Sequence, residues 1–184
     1  MFKDDNNILY IENYQPYRIY DEIQQKRVVN PKFDSGMMLD LKDKKKNAME
    51  HYYKILLEEL EDELNGQNIC ITVVPSHKPG CNLSGVQLVA KKLISKCKCI
   101  NALKCLERVV EIDKLALGGD RDIDIHLESI EVRNQEIFNN KKVIILDDIT
   151  TTGNSLLACK LLLKEKGAKK IACVAIAKTE NEGD

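Results

Sequence analysis

Val143-Ile144-Ile145-Leu146-Asp147-Asp148-Ile149-Thr150-Thr151-Thr152-Gly153-Asn154-Ser155 is the stretch on which the reading of this chain turns. Four apolar residues of strand character run into two adjacent carboxylates, then a hydroxyl-rich turn with one glycine, then a helical pattern. A continuous apolar run of this kind predicts a strand buried on both faces of a parallel sheet. Open α/β sheets collect ligands outside the carboxyl ends of such strands. Paired carboxylates there can accept hydrogen bonds from the vicinal hydroxyls of a ribose. Thr151 to Ser155 can wrap a phosphate with backbone N–H groups and hydroxyls at the positive end of the next helix. A sugar diol and a phosphate side by side describe a ribose 5-phosphate. An ordinary strand–helix unit whose acids only cap the helix would need one acid rather than two, and no hydroxyl cluster after it.

Outward from this segment, strand and helix patterns alternate. Ile69 to Val74 reads as a buried strand, and a helix from roughly Ser84 to Lys96 aligns Val86, Val89, Ala90, Leu93 and Cys97 on one face. Cys99 to Ala102 suits a short third strand, Asn154 to Lys166 a helix stopped by Gly167, and Lys170 to Ala177 the last strand. Upstream, Met49, Tyr52, Tyr53, Leu56, Leu57, Leu60 and Leu64 predict a helix over 44–64 with Asn65-Gly66 as its stop. Its last turns carry Glu58, Glu59, Glu61, Asp62 and Glu63, the wrong sign for a helix C-terminus. Residues 108–129 show no sustained period and are expected to form a long mobile loop. The fold class is therefore α/β, with a mostly parallel central sheet flanked by helices. Residues 1–41 are expected as an N-terminal extension or hood carrying Tyr10, Tyr14, Tyr17 and Tyr20, and residues 42–184 as the main domain.

Composition narrows the function classes. The chain has 184 residues, 43% of them hydrophobic, and a formal net charge of −1, so nothing suggests a non-specific grip on nucleic acid. The longest apolar stretch, about six residues near Ile69 to Val74, falls far short of the ~18 that would span a membrane. The opening Met-Phe-Lys-Asp-Asp lacks the apolar core of a signal peptide, which makes cytoplasmic residence the expectation. Seven cysteines, an odd number, argue against a disulfide framework. Cys70, Cys159 and Cys173 fit core positions, whereas Cys97, Cys99 and Cys105 are expected as reduced thiols, some of them made reactive by neighbouring lysines, with metal binding as the lesser alternative.

A second loop adds chemistry. Val74-Pro75-Ser76-His77-Lys78-Pro79-Gly80 puts a hydroxyl, an imidazole and an ammonium into one tight turn, which suits a diphosphate. Leu106-Glu107-Arg108 and the stretch through Lys114, Arg121 and His126 contribute further donors and positive charge.

Residues 143–155 resemble the phosphoribosyl-diphosphate (PRPP) binding motif of type I phosphoribosyltransferases: four apolar residues, two acids, a short variable stretch, then Thr-Gly-x-Thr/Ser. Thr150 stands where an aliphatic residue is commoner. The Pro-Ser-His loop looks like that of the ComF subgroup, whose members carry Pro-Val-Pro-Leu-His or close variants, and Arg108 matches the arginine after that subgroup's third strand. The subgroup's Gln and Arg-x-x-Asn elements and its N-terminal zinc-binding cysteines are not matched, and the likeness covers roughly residues 68–178.

The resemblance implies a PRPP-dependent transferase that passes ribose 5-phosphate to a small-molecule acceptor and releases diphosphate, with Mg²⁺ bound alongside PRPP. It implies catalytic roles for Asp147, Asp148 and Arg108, the two aspartates holding the ribose and reaching the magnesium. Thr150, Thr151, Thr152, Gly153, Asn154 and Ser155 would take the 5-phosphate, Ser76, His77 and Lys78 the diphosphate, and Lys114 and Arg121 would close over the donor. Phosphoribosyltransferases acting on 6-oxopurines carry an aspartate where this chain has Thr151, which points away from hypoxanthine or guanine. Such enzymes are often dimers, so a homodimer or a larger protein complex is the implied assembly. The alternative is a non-catalytic module that binds PRPP or a nucleotide, as a subunit or as an effector in a toxin or anti-phage system.

Overall fold

The alternation read from the sequence folds into one dominant sheet in the computed structural model, which describes residues 1–21, 23–34, 36–64, 68–81, 83–112 and 122–180. In chain order the elements are β1 (Phe2–Lys3), β2 (Leu9–Tyr14), β3 (Arg18–Asp21), β4 (Lys26–Val29), α1 (Gly36–Lys42), α2 (Lys46–Glu59), α3 (Glu61–Leu64), β5 (Ile69–Val73), α4 (Gly85–Cys97), β6 (Ile100–Asn101), β7 (Leu106–Arg108), α5 (Ile123–Ser129), β8 (Ile130–Val132), β9 (Lys142–Thr150), α6 (Asn154–Glu165) and β10 (Lys170–Thr179). The main sheet runs β1-β2-β10-β9-β5-β6, with every neighbouring pair parallel except β1 and β2. The motif strand, β9, is thus flanked on both sides by parallel partners, as its continuous apolar run requires.

Strand alternation divides the core in two. Ile144 and Leu146 join Ile71, Val73 and Ile176 beneath α1, α2 and α4, through Leu41, Leu56, Val89 and Leu93. Val143 and Ile145 join Cys70 and Ala175 on the other face, against Leu156, Cys159 and Leu163 of α6. Helix α4 begins in a capping box: Ser84 accepts from the Gln87 N–H while the Gln87 side chain accepts from the Ser84 N–H. A Cβ on Gly85 would stand 1.9 Å from the Leu41 carbonyl oxygen, so only glycine lets α1 and α4 pack this closely.

Several expectations are refined. The helix expected over 44–64 is two helices that part at Leu60, so Glu61, Asp62 and Glu63 fall in the first turn of α3, where carboxylates are favourable, while Glu58 and Glu59 end α2 with the unfavourable sign. Its expected stop, Asn65-Gly66, lies outside the described residues. Residues 108–129 are not all loop: α5 occupies Ile123–Ser129, N-capped by the Asp122 side chain, and β7 pairs antiparallel with β8. A seven-residue helix is too short to register as a period. In the N-terminal segment, β2 pairs in parallel with β10, and Tyr52 Oη donates to Glu12 at 2.7 Å to tie it to α2. The β3–β4 hairpin forms a separate small sheet, with Tyr20 61% and Ile23 96% exposed.

Among the described residues no helix is long and apolar enough to cross a membrane. All seven cysteines are free thiols, and four of them, Cys70, Cys105, Cys159 and Cys173, are buried. Burial pushes the Cys97 thiol up, and Cys99 and Cys105 up to about 11, against the reactivity expected from their lysine neighbours.

Candidate functional site

The site grows from the carboxyl end of β9. The strand continues through both aspartates to Thr150, so the alternation that sorts the core also sorts the acids. Asp147 turns toward the α6 face, where its charge is felt by Cys159 and Cys173. Asp148 turns toward α1, where Lys42 Nζ lies 3.9 Å from its Oδ2. Both carboxylates also accept from the backbone just beyond them, Asp147 Oδ1 from the Asp148 N–H at 2.9 Å and Asp148 Oδ1 from the Ile149 N–H at 2.8 Å. Burial raises the Asp147 pKa well above the usual carboxylate range, and the charge of Asp148 beside it adds to the rise. Asp147 therefore holds its proton more tightly than an ordinary carboxyl group, and an arriving cationic centre favours its ionised form.

Beyond the acids the turn is short. Thr150 stays in the sheet, buried, opposite Lys178. Thr151 Oγ1 lies 3.0 Å from Thr179 Oγ1, and Thr152 is exposed at the tip. Gly153 adopts φ +84°, and a Cβ there would stand 2.4 Å from Ile8 Cδ1. The left-handed backbone and the Ile8 floor together demand glycine. Asn154 and Ser155 open α6 and present its first N–H groups beside the turn. The N-terminal turn braces this loop from below: Asn6 Nδ2 donates to the Thr152 carbonyl at 3.2 Å, while Asp4 Oδ1 accepts from the N–H groups of Asn6 and Ile8.

The second loop follows β5. Ser76 and Lys78 are exposed and His77 half-buried. Lys78 Nζ pairs with Glu111 Oε1 at 2.6 Å, and the His77 carbonyl accepts from the Ile112 N–H at 3.0 Å. Arg108, expected at the leaving diphosphate, is instead only 4% exposed and lies behind the loop. Its Nε donates to the Ser76 carbonyl at 3.1 Å and its Nη1 to Ser129 Oγ. Burial lowers its pKa without threatening its charge. His126, also buried, places Nε2 3.2 Å from Ser155 Oγ, so α5 meets the 151–155 turn directly and the 76–78 loop only through Arg108. Lys114 and Arg121 lie outside the described residues.

The structure thus brings the two aspartates, the 151–155 turn and the 76–78 loop to one end of the sheet. Sequence reasoning missed Lys42, Asn6 and Ile8, whose partners lie more than a hundred positions away, beyond any local period. Oxygen donors from only two carboxylates fit magnesium, which keeps most of its shell as water and substrate phosphate. Among the described residues no group of three or more His, Cys, Asp or Glu forms a protein-only metal cage.

Comparison with known proteins bears on this end of the sheet. A family model for the phosphoribosyl transferase domain matches residues 88–183. Orotate phosphoribosyltransferase of Helicobacter pylori (strain Shi470) is 42% identical over 45 residues, 24% of this chain and 22% of that protein. Adenine phosphoribosyltransferase of Treponema denticola is 36% identical over 50 residues, 27% of this chain and 26% of that protein. The chain therefore spans about a quarter or less of the length of these curated relatives. Among solved structures, adenine phosphoribosyltransferase from Leishmania tarentolae superposes with a TM-score of 0.48 at 13% identity, over 88% of this chain and 83% of that one. Orotate phosphoribosyltransferase from Aeropyrum pernix gives 0.45 at 13% identity, over 88% and 85%.

Proposed function

The chain belongs to the phosphoribosyl transferase domain family, and from that premise we propose that it is a PRPP-dependent phosphoribosyltransferase of the ComF-like kind, passing ribose 5-phosphate to a small-molecule acceptor with release of diphosphate. The observation that carries the reading is the juxtaposition at the end of β9 of two strand-borne carboxylates and a glycine-hinged turn opening α6.

Each part has a task in such a reaction. Asp147 and Asp148 accept from the ribose hydroxyls and stabilise positive charge growing at C1 as the diphosphate departs. The N–H groups and hydroxyls of Thr151 to Ser155 anchor the 5-phosphate and fix the sugar relative to the acids, so positioning carries much of the rate. Ser76, His77 and Lys78 receive the diphosphate, Lys78 exchanging Glu111 for phosphate oxygen. Arg108 acts through Ser76, holding that loop in place. Magnesium, when bound through PRPP and the Asp147–Asp148 carboxylates, would neutralise diphosphate charge. Thr151 offers no carboxylate to a base, which favours an acceptor other than a 6-oxopurine.

A non-catalytic PRPP-binding module is the second reading, favoured by the burial of Arg108 and the pairing of Lys78, which leave the diphosphate loop with little uncommitted charge. Calorimetry with PRPP and Mg²⁺, then a diphosphate-release assay across bases and amines, separates the two: release identifies a transferase, binding alone a sensor. The Asp147→Asn/Asp148→Asn double variant should lose donor binding or turnover by about a hundredfold or more. Unchanged affinity and turnover in that variant overturn the assignment.

A further inference from the structure

Helix α5 fell in a stretch with no readable period, yet its His126 ends against the turn assigned to the 5-phosphate. The ring is 1% exposed, Nε2 lies 3.2 Å from Ser155 Oγ, and Nδ1 is buried with no hydrogen-bond partner among the described residues. The rest of α5 is fixed from the opposite side: Ser129 Oγ accepts from Arg108 Nη1 and donates to the Ile125 carbonyl, while Arg108 also holds the Ser76 carbonyl. The imidazole is therefore clamped on a short helix between the two loops.

We propose that His126 is a positioning residue for the donor's 5-phosphate: its Nε2–H donates to Ser155 Oγ, which leaves the Ser155 proton for a phosphate oxygen. The inference rests on the reading of residues 151–155 as the phosphate site.

A serine hydroxyl has one proton to give and two lone pairs to receive with. If Ser155 donated to Nε2, its only proton would be spent, and the turn would meet a phosphate with a lone pair. That arrangement would also put the imidazole proton on Nδ1, creating a buried N–H with no acceptor. Orphaned buried N–H groups are rarer than under-satisfied acceptors, because a donor has a single direction in which to be satisfied. A doubly protonated ring is disfavoured by burial and by the nearby Arg108 charge. The Nε2–H tautomer alone leaves no stranded donor and equips Ser155 to donate outward.

The geometry predicts which replacements succeed. Glutamine can bring an amide N–H to the position of Nε2, whereas asparagine reaches only as far as Nδ1. Titration calorimetry on the full chain with ribose 5-phosphate as one probe and inorganic diphosphate as the other reads this directly. His126→Asn should weaken ribose 5-phosphate by about tenfold or more, the scale of one hydrogen bond to a charged group, and leave diphosphate unchanged. His126→Gln should restore ribose 5-phosphate to within about threefold of the parent. In a Ser155→Ala background His126→Asn should add nothing, since the effect passes through that hydroxyl. Equal losses for both probes, or Asn and Gln variants that behave alike, overturn the proposal in favour of a packing role. If the parent protein binds no ribose 5-phosphate, the phosphate-site reading fails. The ring tautomer, read by ¹⁵N NMR, then decides the remaining claim: Nε2–H upholds the bond to Ser155 and Nδ1–H overturns it.

Discussion

The two loops proposed to meet the donor's phosphates at the end of the sheet are built on opposite plans. The 151–155 turn is the direct continuation of a central strand and stands on core: Ile8 lies beneath Gly153, Thr179 beside Thr151, and His126 behind Ser155. The 75–80 loop projects from β5 and is held chiefly by hydrogen bonds and charge, from Arg108, Ile112 and Glu111. The first is preorganised by packing, which resists deformation because interiors are dense. The second is tethered by polar contacts that a highly charged ligand can trade. Under the proposed function, a phosphate that stays on the sugar and a diphosphate that must leave call for this difference.

The sharpest way to break the contrast is to remove the tether. Arg108→Met leaves the Ser76 carbonyl and Ser129 without their buried partner while keeping an unbranched side chain in the space. We expect a loss of about 2–4 kcal/mol in stability, measured by urea unfolding, and a larger fall in affinity for diphosphate than for ribose 5-phosphate. If both ligands lose equally, the guanidinium supports the whole end of the sheet rather than one loop.

The complementary test strikes the packed loop. Gly153→Ala places a Cβ on a residue at φ +84° and against Ile8 Cδ1 at 2.4 Å. The strained backbone should cost about 1–3 kcal/mol, and ribose 5-phosphate should now be the ligand that suffers more. An Ile8→Ala change in the same background should relieve the contact but not the dihedral strain, so only partial recovery is expected.

These two loops also differ in how far they could be read from residues alone. The carboxylates, Gly153 and Ser155 were legible because a buried strand, its acids and the following helix are consecutive in the chain, so one pattern contains all of them. The strand also announced its own neighbours, since a continuous apolar run demands parallel partners on both sides. What held the loops was not legible. Ile8 and Asn6 reach Gly153 and Thr152 only because β2 docks in parallel on β10, a pairing that leaves no trace in the local period of residues 9–14. Arg108 was visible as a cation, but its direction was not: alternation in the three-residue β7 buries it behind the loop it was expected to line. The opposite outlook of Asp147 and Asp148 was in principle deducible from strand period, had the strand been carried two residues further than its apolar run.

A smaller effect separates the loops by pH. Burial, aided by the Arg108 charge, holds the His126 pKa below its ordinary value, so the unfolded chain takes up that proton first. The contribution of neutral His126 to stability is therefore full above about pH 6.5, the unfolded imidazole value, and is lost as pH falls from there toward the folded pKa. Urea midpoints should drop between pH 7.5 and 5.5 in the parent and drop less in His126→Gln. Equal slopes would place the acid sensitivity elsewhere.

The mildest change tests whether the tethered loop is tradable. Lys78 and Glu111 form an exposed ion pair, and exposed pairs contribute little to stability because solvent screens them and side-chain freedom opposes them. Glu111→Gln should accordingly leave unfolding unchanged. It should release Lys78 for an incoming anion and tighten inorganic diphosphate by a few-fold at low salt, an advantage that fades as ionic strength rises. Ribose 5-phosphate, seated on the packed turn, should not respond. A tighter ribose 5-phosphate with diphosphate unmoved would reverse the assignment of the two loops, because the ligand that gains from a freed Lys78 is the one that Lys78 meets.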